Sequence, residues 1–499
     1  MNFRSVLYIL GCLSLLIGTL LIIPLAIALY CNVDDHGEAW AFLISILLSL
    51  VLGLILWKKN KVNADDFGIR EGFASVTFGW ILITLIGAIP FYLSGACTSM
   101  VDAVFETMSG LTTTGATIFT DIESLPPGIL FWRSFTHWLG GMGIIALSVA
   151  VLPMLGGGGS MLFRAEVPGP TTEKLSPRIA ETAKILWYIY AGLTFAEVLL
   201  LWVLGMPLFD SFCHAFGTMA TGGFSTKNAS MAAYGPAIQW VVIVFMFLAG
   251  VNFVFHFHLI KGRVKPFFTN SEIRTYIIIL LIATIALTLF LFFSSPDEYQ
   301  SYSTTYKSDE GYDSLGKSFR DSIFQAVSIM TTTGFCTADF DQWPDFCRFL
   351  LVMLMVVGAC AGSTGGGMKV VRLMLALKIG VREVRRVIRP RTLFTIKIEG
   401  KSIPEEVIGN TAGFFIIYFL LFGVCSILMH LIGLDLESSF SSVLACVSNI
   451  GPGLGTVGAV QNYAHIPALG KVLLSFCMLL GRLEFYSVLI LFLPLAWKR

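Results

Sequence analysis

The chain has 499 residues, 56% of them hydrophobic and 13% charged, with a formal net charge of +1. Soluble proteins carry about 25% charged residues, so this composition, with a mean hydropathy of +0.79, excludes an ordinary soluble domain and points to a membrane. The near-neutral charge offers no footprint for nucleic acid. Ten cysteines form no CxxC pair and none stands at zinc spacing from a histidine; they read as small apolar packing residues.

In chain order, Arg4 precedes an uncharged run from Ser5 to Tyr30. It is longer than the roughly 7–15-residue apolar core of a signal peptide, so a retained spanning helix is expected. With 39–57 it forms an N-terminal transmembrane hairpin, residues 1–60. A spanning helix takes about 20 mostly apolar residues. Segments near 72–94, 129–153, 185–206, 236–260, 275–295, 347–369, 408–433 and 470–497 bring the expected spans to ten. Shorter helices are predicted near 102–112, 210–220, 321–332 and 438–448, with Asp102, Asp210, Asp321 and Ser438 as N-caps.

Each short helix runs into a glycine after small and polar residues: Thr112-Thr113-Thr114-Gly115, Met219-Ala220-Thr221-Gly222, Thr331-Thr332-Thr333-Gly334 and Ser448-Asn449-Ile450-Gly451. The glycines are 107, 112 and 117 residues apart, the mark of one structural unit used four times. The expected fold is an all-α integral membrane protein with four tandem helix–pore-helix–helix repeats, pseudo-four-fold, plus the hairpin. The repeats span 61–160, 161–265, 266–400 and 401–499. Glycine permits dihedrals that turn successive carbonyls one way, and rings of carbonyls can replace the water shell of a cation. Helix C-termini aimed at the same centre favour positive charge there.

Basic residues fix the orientation. Lys58, Lys59 and Lys61, then Arg164, Lys174, Arg178 and Lys184, then Lys261, Arg263, Lys265 and Arg274 fall on one side if ten helices alternate. So does the stretch from Lys369 to Lys401, with ten Lys/Arg against two Glu. Both termini are expected in the cytoplasm and the glycine turns on the opposite face.

The eighth span contains Gly358-Ala359-Cys360-Ala361-Gly362-Ser363-Thr364-Gly365-Gly366-Gly367. Each glycine costs about 1 kcal/mol relative to alanine in a helix, so the helix is expected to break here; a glycine-lined packing face is the alternative. Lys369 follows, either near the pore or snorkelling to the surface. Arg482 stands inside the last span with Glu484 two positions on. Ionisable residues inside a membrane are costly and default to functional candidates. Arg482 reads as a pore cation or as half of a buried pair with Glu197 or Glu484; Glu106 reads as a brace for the first turn or a structural carboxylate.

These motifs resemble the TrkH/KtrB superfamily of potassium-uptake proteins over essentially residues 70–499, and the extra hairpin is more similar to the TrkH type. The marks are Thr112–Thr117, Ala220–Ser225, Thr332–Phe335 and Asn449–Gly453. The resemblance implies that Thr113, Thr114 and Gly115; Ala220, Thr221 and Gly222; Thr332, Thr333 and Gly334; and Asn449, Ile450 and Gly451 line a potassium filter. It implies a gate made of Gly358, Gly362, Ser363, Thr364, Gly365, Gly366, Gly367, Lys369 and Arg482. It also implies potassium as substrate, with sodium or rubidium as competing ions, no covalent cofactor, a bacterial inner-membrane location, a homodimer and a cytosolic nucleotide-binding regulator of the TrkA type. The rival class is a secondary transporter of an organic solute with broken helices and a midplane site. Repeats in such proteins are often inverted, whereas these four run in one orientation. No nucleophile–base pair or paired carboxylates suggest an enzyme.

Overall fold

The computed structural model describes residues 2–31, 37–60, 68–141, 143, 179–294, 312, 314–392 and 394–497. The N-terminal part is α1 (Phe3–Leu20), α2 (Ile22–Cys31) and α3 (Gly37–Lys59). Helices α1 and α3 approach closely because glycines face each other's neighbours. A Cβ at Gly11 would reach the backbone of Trp57, and one at Gly53 would reach Leu15. Ser14 and Ser49 each donate to the other's carbonyl oxygen, at 2.7 and 2.6 Å. Small residues and exchanged hydroxyl bonds are how helices associate where there is no water to expel.

Four units follow. The first has α4 (Ile69–Leu93), α5 (Met100–Leu111) and α6 (Pro127–Gly141). The second has α7 (Ile179–Val203), α8 (Leu208–Met219), α9 (Pro236–Ala249) and α10 (Phe253–Ile260). The third has α11 (Ser271–Phe293), α12 (Leu315–Met330), α13 (Asp345–Val357) and α14 (Val370–Ile388), then a short hairpin of β1 (Lys397–Ile398) and β2 (Lys401–Ser402). The fourth has α15 (Glu405–Ile432), α16 (Leu436–Val447), α17 (Ala468–Arg482) and α18 (Tyr486–Leu489). The pore helices α5, α8, α12 and α16 are surrounded cyclically. Helix α6 packs on α8, α9 on α12, α13 on α16, and α17 closes the circle on α5. The first helix of each unit turns an apolar face outward, as Ile278, Ile282, Ile285 and Leu289 do on α11 and Phe419, Leu420, Ile427 and Leu431 on α15. This is a multi-pass, all-α membrane protein with pseudo-four-fold units.

Among the described residues, six helices are long and apolar enough to cross a membrane, or up to eight if each bent pair is one span. The difference from the ten expected spans has physical causes. The expected span 129–153 is helical through Gly141, and most of its remainder lies outside the described residues. The span 347–369 stops at Gly358, whose φ of 74° ends α13 after 13 residues. Two spans expected to be continuous are bent. Helices α9 and α10 meet at 103°, because Gly250 caps α9 and Asn252 restarts the chain by accepting from Val254 N. Helix α17 and the turn after it meet at 112°, where Glu484 and Phe485 both have φ of 56°. Bends this sharp need such local causes.

The expected N-caps are also corrected. Ser99 caps α5 and Asp435 caps α16, each three residues before the predicted residue, and α8 starts after Pro207. Helix α12 is 16 residues long and has Asp321 inside it. The displaced side chains reach across instead. Asp102 pairs with Lys471 of the fourth unit. Asp210 accepts from Thr226 Oγ1 at 2.8 Å, and Ser438 Oγ accepts from Thr456 N at 3.0 Å. They tie α8 and α16 to the chain beyond them, and α5 to the fourth unit.

Candidate functional site: four turns on one axis

The four pore helices end in the same way. Thr112, Ala220, Thr331 and Ser448 are C-caps. The next residue is left-handed each time: Thr113 at φ 55°, Thr221 at 55°, Thr332 at 62° and Asn449 at 55°. The residue after that donates its N–H back into the helix at 2.8 Å, Thr114 to Ser109, Gly222 to Gly217, Thr333 to Ser328 and Ile450 to Ala445. This is the Schellman ending, here with threonine where glycine is usual. A β-branched residue at positive φ is an outlier, and holding it costs about 1–3 kcal/mol each. Repetition of that strain in three units marks a conformation the surroundings impose.

The glycines that follow are Gly115, Gly223, Gly334 and Gly451, all at positive φ between 78° and 98°. The second unit is therefore one residue out of the register read from the sequence. Gly223, not Gly222, is the counterpart of Gly115, and Ala220 is a helix cap, counterpart of Thr112. The Gly222-Gly223 doublet concealed this, since either could align. Gly222 instead lies against the His137 ring, which a Cβ there would strike.

The glycines close a ring. A Cβ at Gly115 would strike the carbonyl oxygen of Gly222, one at Gly223 that of Thr333, one at Gly334 that of Ile450, and one at Gly451 that of Thr114. Each unit's glycine lies against the next unit's carbonyl, and the fourth returns to the first. All four glycines line one cavity of about 510 Å³, together with Thr117, Ser225, Cys336 and Tyr463. The oxygens at the ring itself are backbone carbonyls, the ligand type that can replace a cation's water shell.

Buried bonds brace the ring from behind. Glu106, on α5, accepts from Arg133 Nε at 2.6 Å, Thr117 Oγ1 at 3.0 Å and Ile118 N at 2.9 Å. Arg133 also donates to Ser225 O at 2.8 Å and lies 3.6 Å from the centroid of the Phe224 ring. One ion pair thus joins the strands beyond the first and second turns, so Glu106 is a brace. His137 connects the same two units through Gly110 O at 2.7 Å and Phe224 N at 3.1 Å. Because Phe224 N donates to Nε2, the hydrogen is on Nδ1. Arg133 and His137 were not picked out from sequence, though an arginine inside an apolar span was a usable signal.

The glycine-rich segment after α13 lies directly beneath the turns. Thr364 Oγ1 donates to Met219 O at 3.0 Å, and Gly366 N donates to Thr332 Oγ1 at 2.6 Å. A Cβ at Gly365 would meet Thr331 O, and one at Gly366 would strike Ser448 O. These contacts need glycine, which settles the break against a glycine-lined helix face. Gly358, Gly362 and Gly367 turn the chain at φ of 74°, 73° and 70°, and Ser363 Oγ donates to Cys360 O at 2.6 Å. Lys369 is buried and donates to Gly365 O, so it does not snorkel.

Arg482, the last residue of α17, completes this layer. Its guanidinium donates to Thr364 O at 2.9 Å, Thr113 Oγ1 at 3.2 Å, Gly140 O at 2.7 Å and Gly141 O at 3.2 Å. It pairs with neither Glu197 nor Glu484; Glu484 accepts from Arg372 instead. The cation is surrounded by carbonyls and a hydroxyl, and joins units one, three and four below the ring.

Residues 39–497 match the TrkH family model, described as a cation transport protein. The chain is 41% identical to the Trk system potassium uptake protein TrkH of Salmonella typhimurium and 40% identical to that of Escherichia coli K12, with 100% of both chains covered in each case. It is 32% identical to the Trk system potassium uptake protein TrkG of Escherichia coli K12, over 99% of both chains. The crystal structure of the potassium transporter TrkH from Vibrio parahaemolyticus matches with a TM-score of 0.85 and 38% identity, covering 100% of both chains. With four cyclically packed units and similarity over its whole length, the chain belongs to the TrkH family of cation transport proteins.

Proposed function

We propose that this protein takes up potassium across the bacterial inner membrane through the ring of Gly115, Gly223, Gly334 and Gly451 and the carbonyls beside them. The observation that carries the reading is the cyclic closure of those glycines on the next unit's carbonyl. Potassium sheds water at the outer cavity, takes oxygens from the turns at 113–115, 221–223, 332–334 and 449–451, and meets the layer of residues 358–367, Lys369 and Arg482. That layer is the gate. Moving the loop off the helix ends and the guanidinium off Thr364 opens a path.

Each unit has one matching glycine at the ring, so few ordered carbonyl rings are available. Discrimination of potassium over sodium is expected to be weaker than in a filter of several stacked rings, with rubidium accepted. The basic segment from Lys369 to Lys401 supports a cytoplasmic position for this face and for both termini. A second copy and a nucleotide-binding regulator of the TrkA type complete the proposed assembly. The test is growth and potassium uptake at limiting potassium in cells lacking their own uptake systems, with the regulator supplied. Rescue that is lost on Gly334→Ser supports the reading; no rescue despite membrane expression overturns it.

A further inference from the structure

Glu272, the second residue of α11, accepts two backbone hydrogen bonds on one oxygen, Oε1: from Ala361 N at 2.7 Å and from Val371 N at 3.2 Å. Those amides lie on either side of the stretch Gly362–Lys369. One carboxylate therefore gathers both ends of the intramembrane loop. Ser363 Oγ and Lys369 Nζ each bond within the loop, and three further ties at its ends are between backbone groups. Cys360 N donates to Gly250 O and Phe253 N to Gly362 O, each at 3.1 Å, and Val370 N to Ala359 O at 3.0 Å. A carboxylate oxygen makes the stronger, charge-assisted bond to an N–H.

The helix that carries Glu272 is itself held from the cytoplasmic hairpin. Glu399, in the β1–β2 turn, accepts at Oε1 from Asn270 Nδ2 at 3.0 Å, Ser271 N at 2.8 Å and Ser271 Oγ at 3.3 Å. Lys378, on α14, donates to Lys397 O of the same hairpin at 2.6 Å. The hairpin thus touches both the start of α11 and the helix that leaves the loop.

We infer that Glu272 is a positioning residue that clasps the two ends of the loop in its closed arrangement, with the hairpin at 397–402 holding the clasp in place. This rests on the reading of the loop as the gate. Glu272 does not touch the ion; it acts through Ala361 and Val371. Glutamine keeps an acceptor oxygen at the same reach, aspartate is one methylene too short to serve both amides, and alanine keeps nothing.

The test is rubidium-86 uptake by the purified full chain in proteoliposomes without a regulator, with Arg482→Ala as the gate control. Glu272→Asp is expected to raise uptake roughly tenfold, about what the loss of one charge-assisted bond allows, and Glu272→Ala, which loses both bonds, by at least as much. Glu272→Gln, which keeps the acceptor without the charge, stays closer to the parent than either, and Glu399→Ala gives a smaller rise. The potassium-to-sodium flux ratio stays that of the parent. Amide exchange speeds up over 359–371 in Glu272→Ala but not over the pore helices, which a general loss of folding would not reproduce. Parental uptake in both Glu272→Ala and Glu272→Asp, with Arg482→Ala raised, overturns the clasp and leaves the gate standing. If Arg482→Ala is also silent, the gate reading fails, and the clasp with it.

Discussion

Replacing Arg482 tests the proposed gate most directly, and its effect can be sized from the contacts. Of the four bonds the guanidinium donates, those to Thr113, Gly140 and Gly141 fasten it to the first unit, and the one to Thr364 O at 2.9 Å fastens the loop. Only the last must break for the loop to leave. A hydrogen bond from a charged group contributes about 1.5–3 kcal/mol net, and 1.36 kcal/mol is a factor of ten in a rate. Arg482→Ala is therefore expected to raise basal rubidium flux into proteoliposomes by about ten- to a hundredfold. Removing a positive charge from the proposed ion route adds to the same direction. Arg482→Lys keeps the charge, but a single ammonium cannot span Thr364 O and Gly140 O as a planar fork does. Its flux should fall between parent and alanine. Thermal unfolding of the same samples separates gating from damage. Parental or lower flux in a folded Arg482→Ala protein would refute the assignment of Arg482 to the closed gate.

Three further outcomes follow from the ring and its brace. Gly334→Ala forces a side chain into the left-handed region, a cost of about 1–2 kcal/mol, and drives a Cβ into Ile450 O; rubidium flux should fall at least tenfold, and full flux would refute the ring. The register of the second unit is tested by a pair of variants. Ala220→Gly, at a cap, should leave potassium-dependent growth near the parent, whereas Gly223→Ala, against Thr333 O, should abolish it. Glu106→Ala strands Arg133, which is 2% exposed. Breaking a buried pair by removing one partner costs about 3–5 kcal/mol, read as a lowered melting temperature in detergent, and an unchanged one would make the brace dispensable.

The fold was largely legible because its signals are local. Apolar runs of spanning length, a recurring small-polar-glycine turn and a cluster of five glycines each report on the segment that contains them. Failures came where local signals were silent or doubled. The bend after Gly250 was hidden because Phe253–Ile260 continues the apolar run, and hydropathy does not see direction. The second turn slipped by one residue because Gly222 and Gly223 both satisfy a glycine rule, while only the left-handed dihedral of Gly223 separates them. Asp102, Asp210 and Ser438 look like caps because they begin the apolar pattern. Their helices start about a turn earlier, and the side chains serve long-range bonds no spacing rule reports. Arg482 was conspicuous in an apolar helix, yet its partners lie up to 369 residues away. Glu272 drew no attention at all, because a glutamate at a helix start is what the helix dipole favours anyway.

The four units agree in backbone and differ beneath it, and that difference is what a single chain permits. An assembly of four identical subunits repeats every side chain four times. Four copies of Arg482 would bring four positive charges under one ring, and four glycine loops would compete for the same space. Here the left-handed residue after each pore helix is threonine three times and Asn449 once, and each has its own task below the ring. Thr113 Oγ1 accepts from Arg482, Thr332 Oγ1 accepts from Gly366 N, and Asn449 Nδ2 donates to Thr114 Oγ1 at 3.0 Å. Thr221 Oγ1 turns back to Ala220 O, and the second unit is reached instead through Thr364 Oγ1 on Met219 O. One loop and one arginine thereby touch the ends of all four pore helices. Under the proposed function, backbone symmetry supplies equivalent oxygens around the ion, and broken side-chain symmetry supplies a proposed gate that one loop movement can release from every unit together.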